Sequence, residues 1–123
     1  MLKVSSEKLL STLADFEFKI VNINLLKGKQ SFRKLRYDDA IYYGETNNGQ
    51  ERHGEGVMIY FNKRVYEGNW KQDVRSGLGR EIFTTGNKYE GSYFNNKPHG
   101  FGIYNWLNGS KYEGNWIEGV KDG

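Results

Sequence analysis

The 123-residue chain contains no cysteine, a single proline (Pro98) and two histidines. Without cysteine, disulfide scaffolds, thiolate metal sites and a cysteine nucleophile are excluded. The absence also fits a reducing compartment. No apolar stretch approaches the ~18–20 residues of a membrane-spanning helix. The N-terminal MLKVSSEKLLSTLADFEF lacks the apolar core of a secretory signal, and Glu7, Asp15 and Glu17 disagree with an acid-poor mitochondrial presequence. Asn108-Gly109-Ser110 has the form of a glycosylation sequon, but Asn-Gly equally marks a hairpin turn.

What the chain does have is unusual. Only 37% of it is hydrophobic, yet 15% is aromatic and 16 residues are glycine. A helical bundle would favour leucine and alanine and avoid that much glycine. Glycine with Tyr, Trp and Phe points to many short strands joined by tight turns. The net charge of +3 sits entirely in residues 1–40, which carry eight Lys/Arg against five Asp/Glu, while residues 41–123 carry ten of each. The excess concentrates in KGKQSFRKLR, which supplies Lys27, Lys29, Arg33, Lys34 and Arg36 with no acid. Such a patch attracts phosphates, anionic lipid or an acidic partner surface, and it suits a solvated loop or edge strand equally well.

Internal periodicity dominates the rest. Gly44, Gly68, Gly91 and Gly114, each in a Y-x-G element, are spaced 24, 23 and 23 apart. A second register, Gly54-x-Gly56, Gly77-x-Gly79 and Gly100-x-Gly102, precedes the next Y-x-G glycine by 14 residues each time. The single extra residue falls in TNNGQERHG, a loop where insertion costs little. The units are 42–65, 66–88, 89–111 and a half-repeat, 112–123, which ends on the glycine expected to open the next doublet. The array (41–123) thus stops midway through a unit, as a fragment would or as an end packed on another chain would.

Strand geometry places alternate residues on one face. Tyr66, Gly68 and Trp70 share a face, as do Tyr89, Gly91 and Tyr93, and Tyr112, Gly114 and Trp116. A glycine between two aromatics leaves room for rings to lie across the backbone. Turns at Thr85-Gly86-Asn87 and Leu107-Asn108-Gly109 close the hairpins. One hairpin is marginal alone, but stacked units at ~4.8 Å per strand form continuous aromatic ladders. The expected fold is therefore mainly β: an elongated, single-layer antiparallel sheet of stacked hairpins.

Y66-E-G-N-W70, Y89-E-G-S-Y93, P98-H-G-F-G102, N108-G-S-K-Y-E-G-N-W116 and R52-H-G-E-G56 strongly resemble the MORN (membrane occupation and recognition nexus) repeat. The resemblance implies a scaffold. Arrays of this kind occur in ciliary axonemes, including radial spokes, in the cortical cytoskeleton and at membrane contacts, which suggests a cytoplasmic, cytoskeletal or ciliary protein. They also precede lipid-kinase and SET-type methyltransferase domains, so a regulatory fragment of an enzyme is an alternative.

Residues 1–40 fall outside the repeat. Ser5-Ser6-Glu7 reads as a helix start, with Leu9, Leu10, Leu13 and Phe16 at helical spacing, and F16-E-F-K-I20 alternates like a strand. This segment is read as a cap over the first open sheet edge or as a docking helix for a partner.

No catalytic constellation stands out. His53 and His99 occupy one repeat position, and no metal set accompanies them. Glu67, Glu90 and Glu113 form one ladder about 10 Å apart at the stacking distance of sheet strands, with Lys88 and Lys111 expected to balance it at the surface. The glycine doublets open strands, whereas phosphate-binding glycines precede a helix. The array is neutral overall, so no nucleic acid is expected, and neither is a cofactor. The expected partner is a protein, held as an extended peptide or helix in an aromatic groove formed by Tyr66, Trp70, Tyr89, Tyr93, Tyr112 and Trp116. The basic stretch 27–36 offers a lipid alternative.

Overall fold

A computed structural model describes residues 19–48 and 50–122. The helix expected from Ser5 lies outside these residues, as does most of the alternating stretch 16–20. Among the described residues, one short helix, α1 (Ile23–Lys27), precedes nine strands: β1 (Phe32–Arg36), β2 (Ala40–Asn47), β3 (Glu51–Tyr60), β4 (Val65–Lys71), β5 (Val74–Ile82), β6 (Lys88–Phe94), β7 (Lys97–Asn105), β8 (Lys111–Ile117) and β9 (Val120–Asp122). Every strand pairs antiparallel with its chain neighbours, so the order in the single open sheet is the order in sequence.

The turns follow their chemistry. Between β4 and β5, β6 and β7, and β8 and β9 the two loop residues both take positive φ: Gln72 and Asp73, Asn95 and Asn96, Glu118 and Gly119. Paired positive φ is the signature of two-residue hairpins whose twist matches the strands. The alternate connections run through Lys63, Gly86 and Gly109, each also at positive φ.

One row of residues explains why a single layer can have a core. Gly44, Gly56, Gly68, Gly79, Gly91, Gly102 and Gly114 are mutual cross-strand partners from β2 to β8. Tyrosine rings lie flat on this glycine row. A Cβ on Gly56 would stand 2.1 Å from the Tyr42 hydroxyl, and one on Gly102 would stand 2.2 Å from that of Tyr89. The two glycines of each doublet therefore differ in purpose. The first (Gly54, Gly77, Gly100) takes φ near +90°, and the second joins the row beneath a ring.

The sheet has two apolar clusters, one per face. On the ring face, Ala40, Tyr42, Met58, Tyr66, Trp70, Tyr89, Tyr93 and Trp116 are buried together. On the opposite face, Ile41, Tyr43, Val57, Ile59 and Val65 pack with Val21 and Leu26 of the N-terminal segment. The segment turns into α1 where the Asn22 side chain accepts from the Leu25 amide at 3.2 Å.

Candidate interaction surfaces

The ring face is a herringbone chain. Tyr42, Trp70, Tyr66, Tyr93, Tyr89, Trp116 and Tyr112 meet edge to face in succession, with centroids 5.0–5.5 Å apart and planes 82–88° to one another. That geometry brings the positive ring edge onto the negative face. The tyrosine of each Y-x-G element donates its hydroxyl to the carbonyl three residues on: Tyr42 to Glu45 at 2.7 Å, Tyr66 to Asn69 and Tyr89 to Ser92 at 2.8 Å, and Tyr112 to Asn115 at 3.0 Å. Trp70 and Trp116 donate Nε1–H to the Gly56 and Gly102 carbonyls, both at 3.3 Å.

The expectation of exposed groove rings is corrected by this packing. Of the six, Tyr66, Trp70, Tyr89, Tyr93 and Trp116 are at most 7% exposed, and Tyr112 is half-buried. Glycine lets each ring sit down on the backbone, and its neighbours cover its remaining side. Cations cover much of the rest. Arg52 lies over Trp70 at 4.7 Å and Tyr37 at 5.0 Å, Arg75 over Tyr66 at 4.4 Å, and Lys121 over Trp106 at 5.3 Å and Tyr112 at 5.4 Å. Arg52 and Arg75 stand two residues before a glycine doublet, and Lys121 two before Gly123; Pro98 fills the remaining equivalent position. The pattern was visible in the sequence, but its role as a cover was not.

The second repeat departs from this scheme. Glu81 stands where Met58 and Tyr104 stand in the flanking units, buried at 3% exposure. It accepts from Arg75 at 2.8 Å and from the Tyr93 hydroxyl at 2.9 Å, and it pairs with Arg64 at 3.3 Å. Arg75 also donates to the Tyr60 hydroxyl at 2.8 Å. At the position where the neighbouring units carry Trp70 and Trp116, Tyr93 thus supplies Glu81 with a hydroxyl donor. Burial, with Glu81 adding to it, pushes the Tyr93 phenol well above its ordinary range. Burial does the same at Tyr42 and Tyr66, and raises Tyr89 to about 12. A cleft lined by Arg52, Tyr60, Arg64, Trp70, Arg75 and Asn96 opens beside this node.

On the opposite face the three-glutamate ladder is not uniform. Glu90 and Glu113 are exposed, Glu113 with Lys111 beside it, as the sequence suggested. Glu67 is fully buried. Its carboxylate accepts the backbone amides of Lys19 (3.1 Å), Ile20 (2.7 Å) and Val21 (2.9 Å), and Arg80 completes the set at 2.8 Å. A buried carboxylate is tolerable only when so fully bonded. Glu67 thus anchors the N-terminal segment to the sheet. The expectation that this position is a solvated ion-pair ladder fails at Glu67, because a segment 46–48 residues away covers it.

The basic stretch does not converge. Lys27 ends α1 and Lys29 pairs with Glu45 at 3.4 Å. Arg33 folds back onto the Gln30 and Phe32 carbonyls at 2.8 and 2.7 Å. Lys34 lies 5.8 Å over the Tyr43 ring and shares that face with Arg36, while Arg33, opposite Gly44, belongs to the other. The histidines brace turns: His53 Nδ1 accepts the Gln72 amide at 3.1 Å and His99 Nδ1 the Glu118 amide at 3.2 Å.

Every recurrent feature here belongs to one 23-residue unit: a tyrosine seated on a glycine row, an aromatic at +4, and a histidine or its substitute at the turn. A family model for the MORN repeat matches residues 51–63, 66–88, 89–111 and 112–123. These stretches make up more than half of the chain, and the protein belongs to the MORN-repeat family.

Proposed function

We propose that the protein is a non-catalytic interaction module, an accessory subunit that holds another protein within a larger assembly. MORN repeats are in general protein- or membrane-interaction modules. The observation that carries the reading is the Glu67 anchor. The sheet already binds a polypeptide segment on one face, through its backbone amides and through Val21 and Leu26. The ring face serves mainly as core, so binding of a partner falls to the opposite face of β5–β8 and to the rims. Leu78, Phe101 and Leu107 are exposed there at 59%, 57% and 75%. A ciliary axoneme, radial spoke or cortical cytoskeleton is the proposed setting, on the resemblance to MORN-repeat scaffolds.

Cross-linking in the native source, followed by mapping of the linked peptides, tests this. Links from Lys88 and Lys111 on the open face to one other protein are expected. Flotation of the purified protein with anionic vesicles at low salt, where screening is weakest, is the counter-test. Strong flotation with no cross-linked protein would replace the scaffold by a membrane tether. That second reading is weakened by the scatter of Lys27, Lys29, Arg33, Lys34 and Arg36 over both faces.

A further inference from the structure

The face opposite the rings carries a row with one side chain per strand. Cross-strand pairing sets Val57 opposite Glu67, Glu67 opposite Arg80, Arg80 opposite Glu90, and Glu90 opposite Ile103. The row reads apolar, acid, base, acid, apolar, and is nearly symmetric about Arg80. One half is filled: Glu67 takes three successive amides and Arg80. The other half has the same residue types, and the Glu90 carboxylate makes no hydrogen bond or ion pair to the described residues. A cleft of about 350 Å³ lies over it, lined in part by Lys19, Arg80, Lys88, Glu90 and Leu107. Lys19 belongs to the bound segment, so the cleft is continuous with the interface already formed. Leu78 and Phe101, both exposed, lie on the same face beside it.

Resting on the interaction-module reading, we infer that Glu90 is a second backbone-amide receptor, and that it takes a partner protein's segment of the same chemistry as residues 19–26. Three consecutive free amides close on the carboxylate, which excludes proline there. An apolar residue at the third position and another five residues on, within a capped helical turn, match Val21 and Leu26. Charge-assisted hydrogen bonds of this type are the strong ones.

A fluorescently labelled synthetic peptide of residues 19–31 is the probe, titrated into the full chain and followed by anisotropy. Saturable binding is expected. Glu90→Gln weakens it at least tenfold, and Phe101→Ala weakens it as well. A peptide carrying Val21→Pro does not bind, because one amide is gone. Circular dichroism of the Glu90→Gln protein matches wild type, since Glu90 is exposed. Absence of saturable binding up to millimolar peptide overturns the inference. So does binding indifferent to Glu90→Gln, or binding lost on Glu67→Gln alone, which would mean exchange with the chain's own segment. Self-association of the chain that disappears in Glu90→Gln would assign the site to a second copy and likewise overturn it. A native partner cross-linked away from Lys88 and Lys111 would sink this inference while leaving the module reading intact.

Discussion

The same face of the same sheet behaves differently over β2–β4 and over β5–β8. The backbone pairing, the glycine row and the Y-E-G element are shared. Over β2–β4 the side chains are Ile41, Tyr43, Val57, Ile59 and Val65, and a segment of the chain covers them. Over β5–β8 the row beside Ile59 and Val65 continues as Ile82, Lys88, Asn105 and Lys111, and it is largely open. A repeated backbone therefore does not impose a repeated surface. Cover decides whether a glutamate at a repeat position is a buried anchor or a solvated carboxylate.

The largest effect should come from breaking that contrast at its centre. Glu67→Ala removes the carboxylate that Arg80 donates to and leaves three amides without their acceptor, and should cost about 3–5 kcal/mol in urea unfolding. Glu90→Ala, at the equivalent position, should change stability by less than about 0.5 kcal/mol. Equal costs at the two sites would mean that the anchor does not form.

The ring face is alike in both halves, which sharpens the comparison. Gly56→Ala and Gly102→Ala each drive a methyl into a tyrosine ring, and each should cost roughly 1–3 kcal/mol or more. A large cost at one and none at the other would show that the glycine row is not continuous.

Smaller losses probe the departure in the second repeat. Tyr93→Phe removes the donor to buried Glu81 and should cost about 1.5–3 kcal/mol, because the acceptor is charged. Tyr89→Phe removes a neutral bond to the Ser92 carbonyl and should cost about 1 kcal/mol. If the two losses are equal, the Glu81 node adds nothing.

Alkaline pH gives the gentlest test. Burial raises the Tyr89 phenol from 10.0 to about 12, so its contribution is fully present below pH 10 and is lost as pH rises through 12. Absorbance near 295 nm should show the ladder tyrosines ionising above the range of free tyrosine, together with unfolding. Ionisation near pH 10 with the fold intact would contradict the buried ladder.

Much of the fold was legible in the sequence. The glycine period located the hairpins, and alternation assigned residues to faces, because both depend only on local strand geometry. The site was less legible. Exposure of Tyr66 or Trp70 depends on neighbouring rings one strand away in either direction. The helix α1 was missed because INLLK is too short to show a helical period. Arg52, Arg75 and Lys121 repeat in register, but nothing local reveals that they lie over rings.

The sequence by itself determined the repeat, its antiparallel stacking and the ring ladder, since each follows from residue spacing and the small volume of glycine. Only the tertiary structure decided which surface is core and which is open. Glu67 and Glu90 sit in the same Tyr-Glu-Gly triplet. What separates them is a distant segment whose three amides and two apolar side chains settle on one half of the sheet.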